Sequence, residues 1–141
     1  MRLYELSLVS KKWLNSPTEG FLEPTVENIS KAKEFVFRKW KERAIERMER
    51  EPLDLSTACK FSSLFVKMVF GGTIKGTWEH QYNDINGVVV DLNSDAGDVL
   101  RLLEPHKHDR RFIGNREHNE SLESCIPRVK RWVEEFHNSV S

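Results

Sequence analysis

The chain has 141 residues, 31% of them charged and 38% hydrophobic, with 22 basic residues against 22 acidic ones. That length and composition describe a single folded domain over residues 1–141, able to bury about two-thirds of its unfolded surface, and they exclude a disordered chain. Balanced charge gives no global field toward nucleic acid or an anionic membrane, so nucleic acid is not an expected partner and any such binding falls to a local patch.

No apolar run approaches the ~20 residues that span a bilayer. The opening MRLYELSLVSKKW carries Glu5 inside its only apolar part, unlike a secretory signal. A cytoplasmic location is therefore expected, with no membrane partner. Cys59 and Cys125 are far apart and show no CxxC spacing, so both are expected as thiols rather than as a zinc ribbon or redox pair.

Met1 to Trp13 alternates apolar residues too irregularly to separate strand from helix. Asn15 to Pro24 has the Asn, Ser, Pro and Gly content of a loop. A first helix is predicted over Thr25 to Glu51, capped by Thr25 and ended by Pro52. Its apolar side carries Val26, Ile29, Phe35 or Val36, Trp40, Ala44 and Met48, and its other side mixes charges as a solvated face does. Asp54, Ser56 and Thr57 are candidate caps for a second helix that runs to about Phe70, with Leu64, Phe65, Met68 and Val69 inward. Gly71-Gly72 stops it.

Strands follow at Thr73 to Trp78, His80 to Ile85 and Val88 to Leu92, the last two joined by Asn86-Gly87, a strong hairpin signal. With a two-residue loop, Ile85 pairs with Val88, Tyr82 lies opposite Asp91 and His80 opposite Asn93. His80, Asp91 and Asn93 then share one face. Beyond Ser94 the chain is mostly polar, with a short apolar run at Val99 to Leu103 and a strand expected at Arg111 to Ile113. A last helix is predicted from Asn119 or Ser121 to about Phe136, with Leu122, Cys125, Ile126, Val129, Trp132, Val133 and Phe136 inward. Pro127 either sits in its first turn or kinks it.

The chemistry-bearing residues gather in the middle. Cys59 falls in the first turn of the second helix, where unpaired N–H groups and the helix dipole favour a thiolate. His80 has the chemistry to take the thiol proton and return it to a leaving group, if a third group fixes its tautomer. Asp91, diagonal to it, is the candidate orienting acid, and Asn93 the alternate. Trp78, two residues before His80, is a candidate pocket wall, while Trp40 and Trp132 fall on helical stripes and read as core.

The run of cysteine helix, Gly71-Gly72-Thr73-Ile74, His80-Gln81-Tyr82-Asn83 and Gly87-Val88-Val89-Val90-Asp91-Leu92 resembles the minimal papain-like and transglutaminase-like cysteine hydrolase core. More closely it resembles the small bacterial YunG-type family. The resemblance implies an α+β fold in which the cysteine-bearing helix packs on a small antiparallel sheet, flanked by long N- and C-terminal helices. It also implies a small cysteine hydrolase or acyl transferase of peptidase, amidase or deamidase type, with a Cys59, His80, Asp91 site acting on a protein or other amide-containing substrate without a cofactor. In one respect the chain departs from the pattern. Such hydrolases often place a glutamine shortly before the cysteine, where this chain has Leu55, Ser56, Thr57 and Ala58. The Cys59 backbone N–H or Gln81 would then have to stabilise the oxyanion.

A second constellation, His106-Lys107-His108-Asp109-Arg110-Arg111 with Arg116 and His118, reads first as a solvated loop. Functionally, His106, His108, Arg110 and Arg111 make an anion-binding candidate, and His106, His108 and His118 a weaker metal-binding one. The alternative to an enzyme is a catalytically inactive protein of the same fold that binds a protein or anionic partner.

Overall fold

The computed structural model describes residues 13–14, 16–53, 55, 58–76, 81–92 and 116–140, with side chains of the last segment from Glu120 onward. Among the described residues the order is β1 (Thr18–Glu19), α1 (Val26–Glu46), α2 (Cys59–Phe70), β2 (Gly71–Gly76), β3 (Gln81–Ile85), β4 (Val88–Val90) and α3 (Arg116–Val140). The strands form one antiparallel sheet in the order β1-β2-β3-β4, and α2 packs on β2 and β3. The class is α+β, as expected.

Helix α2 is the centre of the molecule. The sequence marks one apolar face, yet every residue from Ser62 to Phe70 is buried. The sheet covers one side of the helix and α1 and α3 cover others, which is the environment of a helix that is apolar nearly all round. Phe65 meets Phe35 of α1 and Phe136 of α3 at ring-centroid distances of 5.7 and 5.3 Å. Phe61 lies between Trp40 and Trp132 at 5.1 and 5.6 Å. Trp132 is core as expected, and Trp40 is partly buried against it.

Helix α1 begins at its expected cap, where the Thr25 hydroxyl accepts the Asn28 N–H at 3.1 Å. Its end differs from the expectation. The helix stops at Glu46, well before Pro52, because Met48 turns left-handed at φ 56° and the Glu49 N–H bonds back to the Ala44 carbonyl at 2.9 Å. That is a Schellman closure with methionine where glycine is usual. Val26 and Met48, assigned to the apolar side, are both exposed: one opens the helix and the other lies beyond it.

The chain turns directly from α2 into β2 through Gly71 and Gly72, at φ 86° and 80°. A Cβ on Gly72 would fall on the Asp84 carbonyl of β3, so both the turn and the strand spacing require glycine there. The segment expected to be loop contains β1, in which Thr18 and Glu19 pair with Gly72 and Gly71. The β3–β4 hairpin has the expected register. Ile85 pairs with Val88, Asn86 and Gly87 both have positive φ, and the Asp84 carboxylate accepts the Gly87 N–H at 2.7 Å. Helix α3 starts at Arg116, earlier than either expected cap. Pro127 lies inside it rather than in its first turn, and the expected inner stripe is buried, with Ile126 at its edge.

One buried group has no signature in the sequence. Lys67 of α2 is fully enclosed, and its Nζ donates to the Ser16 carbonyl at 2.6 Å and the Gly72 carbonyl at 2.8 Å while sitting 4.9 Å from the Trp13 ring centroid. The ammonium thus ties the segment before β1 to the start of β2. Burial lowers its pKa from the usual 10.5 to about 8.

Candidate functional site

One side-chain bond ties α2 to β3. Asn83 of β3, 2% exposed, donates Nδ2–H to the Ser63 carbonyl of α2 at 2.9 Å. Asn83 therefore faces the helix, and Gln81 and Ile85, alternating with it along β3, face the same way. Val90, paired with Asn83 from β4, is buried there as well.

The same bond sets the level of everything else. Because α2 leads straight into β2, the strand runs back along the helix. Ser63 to Phe70 spans about 10 Å at helical rise, and Gly71 to Ile74 about 10 Å at strand rise, so Ile74 and its partner Asn83 come level with Ser63. From there Cys59 is about 6 Å further toward the helix start, and Gln81 about 7 Å further toward the strand start. The first residue of α2 and the first residue of β3 therefore lie at the same end of the helix–sheet unit. The last residue of β4 and Asp91 arrive at that end too, since β4 is antiparallel to β3.

Cys59 is the half-buried first residue of α2, outside any disulfide, and the preceding Ala58 provides no side-chain cap. Gln81 is 6% exposed, and its Oε1 is buried with no hydrogen-bond partner among the described residues. Asp91 is half-buried between buried Val90 and Leu92. Tyr82, alternating with Gln81 and Asn83 along β3, lies on the other face. The register ends at Asn83 and Val90, one residue before the expected Tyr82–Asp91 pair, and the first residue of β3 on the α2 side is Gln81. Tyr82 is itself buried, and burial together with the Asp84 carboxylate raises its hydroxyl pKa to about 12.

The second cysteine has a different setting. Cys125 is buried in α3, its Sγ donates to the Ser121 carbonyl at 3.4 Å, and burial pushes its pKa up. This disfavours the nucleophilic form. Nearby, Lys60 of α2 is hydrogen-bonded to the Ser121 hydroxyl.

His80, Trp78 and Asn93 lie outside the described residues, as do His106, His108, Arg110 and Arg111, the 99–103 run and the 111–113 strand. Of the expected site, the described part comprises Cys59, Gln81 and Asp91. Asn83, read in the sequence only as a motif letter, proves to be the residue that registers α2 on β3. Among the described residues, no helix is long and apolar enough to cross a membrane. Comparison of the chain with protein-family models, curated proteins and solved structures gave no match.

Proposed function

We propose that the protein is a small cysteine-dependent hydrolase or acyl transferase with a papain-like, YunG-type core. Cys59 is the nucleophile, His80 the proton shuttle and Asp91 the acid that orients the imidazole. The placement that supports this reading is that of Cys59, first residue of α2, at the same end of the helix–sheet unit as the start of β3 and the end of β4. His80 immediately precedes β3 and Asp91 immediately follows β4. The mechanism requires His80 to reach both Cys59 and Asp91.

Attack of the Cys59 sulfur on an amide or ester carbonyl forms the C–S bond while the thiol proton passes to His80. Collapse of the tetrahedral intermediate expels the leaving group with that proton. Water or another nucleophile then cleaves the thioester, and the cysteine is regenerated. The rival is a non-catalytic protein of the same fold that binds a protein or anionic partner.

Alkylation of the native protein by iodoacetamide near neutral pH, read residue by residue by mass spectrometry, separates the two. The enzyme reading expects rapid modification of Cys59, slow modification of Cys125, and slower reaction at Cys59 in His80→Ala. A Cys59 that reacts only after unfolding contradicts catalysis. An unaffected rate in His80→Ala contradicts the pairing.

A further inference from the structure

Arg43 of α1 is half-buried, and its guanidinium carbon lies 5.0 Å from the ring centroids of both Trp40 and Phe61, which are 5.1 Å from each other. Two aromatic rings thus hold the planar group, an arrangement that fixes an arginine while leaving its N–H edge available to an acceptor. The carboxylates around the end of α1 are engaged by other cations. Glu46 pairs with Arg128 of α3 at 3.1 Å, Glu49 with Arg47 at 3.0 Å and Glu51 with Lys41 at 3.7 Å. Among the described residues the Arg43 guanidinium has no ion-pair partner.

Positive charge collects around it. Lys60 of α2, the residue before Phe61, donates to the Ser121 hydroxyl of α3, and the Cys125 thiol one turn along α3 lies in the field of both Lys60 and Arg43. Burial, together with the charges of Arg47 and Arg128, lowers the Arg43 pKa. Arg43, Arg47, Lys60 and Arg128 therefore outnumber Glu46 and Glu49 where α1, α2 and α3 come together, in a chain whose net charge is zero. Like charges so gathered repel one another, and a bound anion relieves the repulsion.

We infer that this junction of the three helices binds a phosphoryl group, as free phosphate or as the monoester of a small molecule, with Arg43 as its main ligand and Lys60 and Arg128 adding positive charge. The planar fork of an arginine meets two phosphate oxygens at once. A local excess of cations suits a dianion better than a single carboxylate. The site uses neither Cys59 nor the sheet, so it stands whether or not the thiol is catalytic.

The test titrates the full 15N-labelled chain with inorganic phosphate, phenyl phosphate and acetate at constant ionic strength. Binding is read at the Trp40 indole N–H resonance, assigned with Trp40→Phe. Both phosphates are expected to shift it to saturation, and the tighter of the two identifies the ligand as free phosphate or monoester. Arg43→Met, checked for folding by its melting temperature, is expected to bind about tenfold or more weakly, the worth of a hydrogen bond to a charged group. Lys33→Met makes the same charge change at an exposed position about 15 Å along α1 and is expected to bind as wild type does. A wild-type resonance that reaches no saturation, or that acetate shifts as strongly as phosphate, overturns the inference without reference to any variant. So does an equal loss of affinity in Lys33→Met, which would mark a diffuse field rather than a site.

Discussion

The Asn83 side chain holds the Ser63 carbonyl of α2 at 2.9 Å, a single hydrogen bond that fixes how far along β3 the cysteine helix sits. A slip of one helical turn would move Cys59 by about 5 Å and separate it from the start of β3. Since Asn83 is buried, its removal forfeits a hydrogen bond and leaves unfilled space. Asn83→Ala is expected to lower the unfolding free energy by about 1–3 kcal/mol and to slow modification of Cys59 in the native state. Chemical denaturation and site-resolved alkylation measure the two effects. An unchanged denaturation midpoint would contradict the role given to this bond.

Lys67 supplies a pH dependence of the opposite sign to a surface lysine that gains a carboxylate partner. Burial lowers its folded pKa to about 8 against the usual 10.5, so between those values the unfolded chain binds more protons than the folded one. Stability contributed through this group therefore rises as pH increases from about 8 to 10.5, and below that window the folded state carries the full desolvation cost. The excursion is about 3 kcal/mol at most. The difference between wild type and Lys67→Met, followed by urea unfolding from pH 7 to 10, should shift in favour of wild type as pH rises. A difference independent of pH would contradict the assignment.

Met48 closes α1 in a left-handed conformation, φ 56°, with its side chain 94% exposed. Nothing is gained from the side chain, and the backbone geometry suits glycine. Met48→Gly is expected to stabilise the protein by about 1 kcal/mol, read as a higher thermal midpoint. A lower midpoint would mean that the methionine makes a contact the geometry does not reveal.

Local chemistry made much of this architecture legible in the sequence. Thr25 before an apolar period, Gly71-Gly72 after one, and Asn86-Gly87 between β-branched runs each act over a few residues, and each is found where expected. What escaped depends on contacts between distant segments. The end of α1 is set by Met48, a residue with no turn signature, and β1 exists because β2 offers it an edge. The enclosure of Lys67 requires the carbonyls of Ser16 and Gly72 to converge on it. Period-two alternation placed Asp91 and Tyr82 on one face. The sequence could not say which face α2 would cover; it covers the one that carries Asn83, which bonds the Ser63 carbonyl.

The central claim is that Cys59 forms an acyl-thioester with help from His80. The most direct measurement is acylation of the native protein by p-nitrophenyl acetate, with the acetyl group located by peptide mass spectrometry. The account predicts a p-nitrophenol burst matched by acetyl on Cys59, absent in Cys59→Ser and reduced by about a hundredfold or more in His80→Ala, the usual share of a general base. Acetyl found only on lysines or on Cys125, or a Cys59 burst of the same size in His80→Ala, would contradict it.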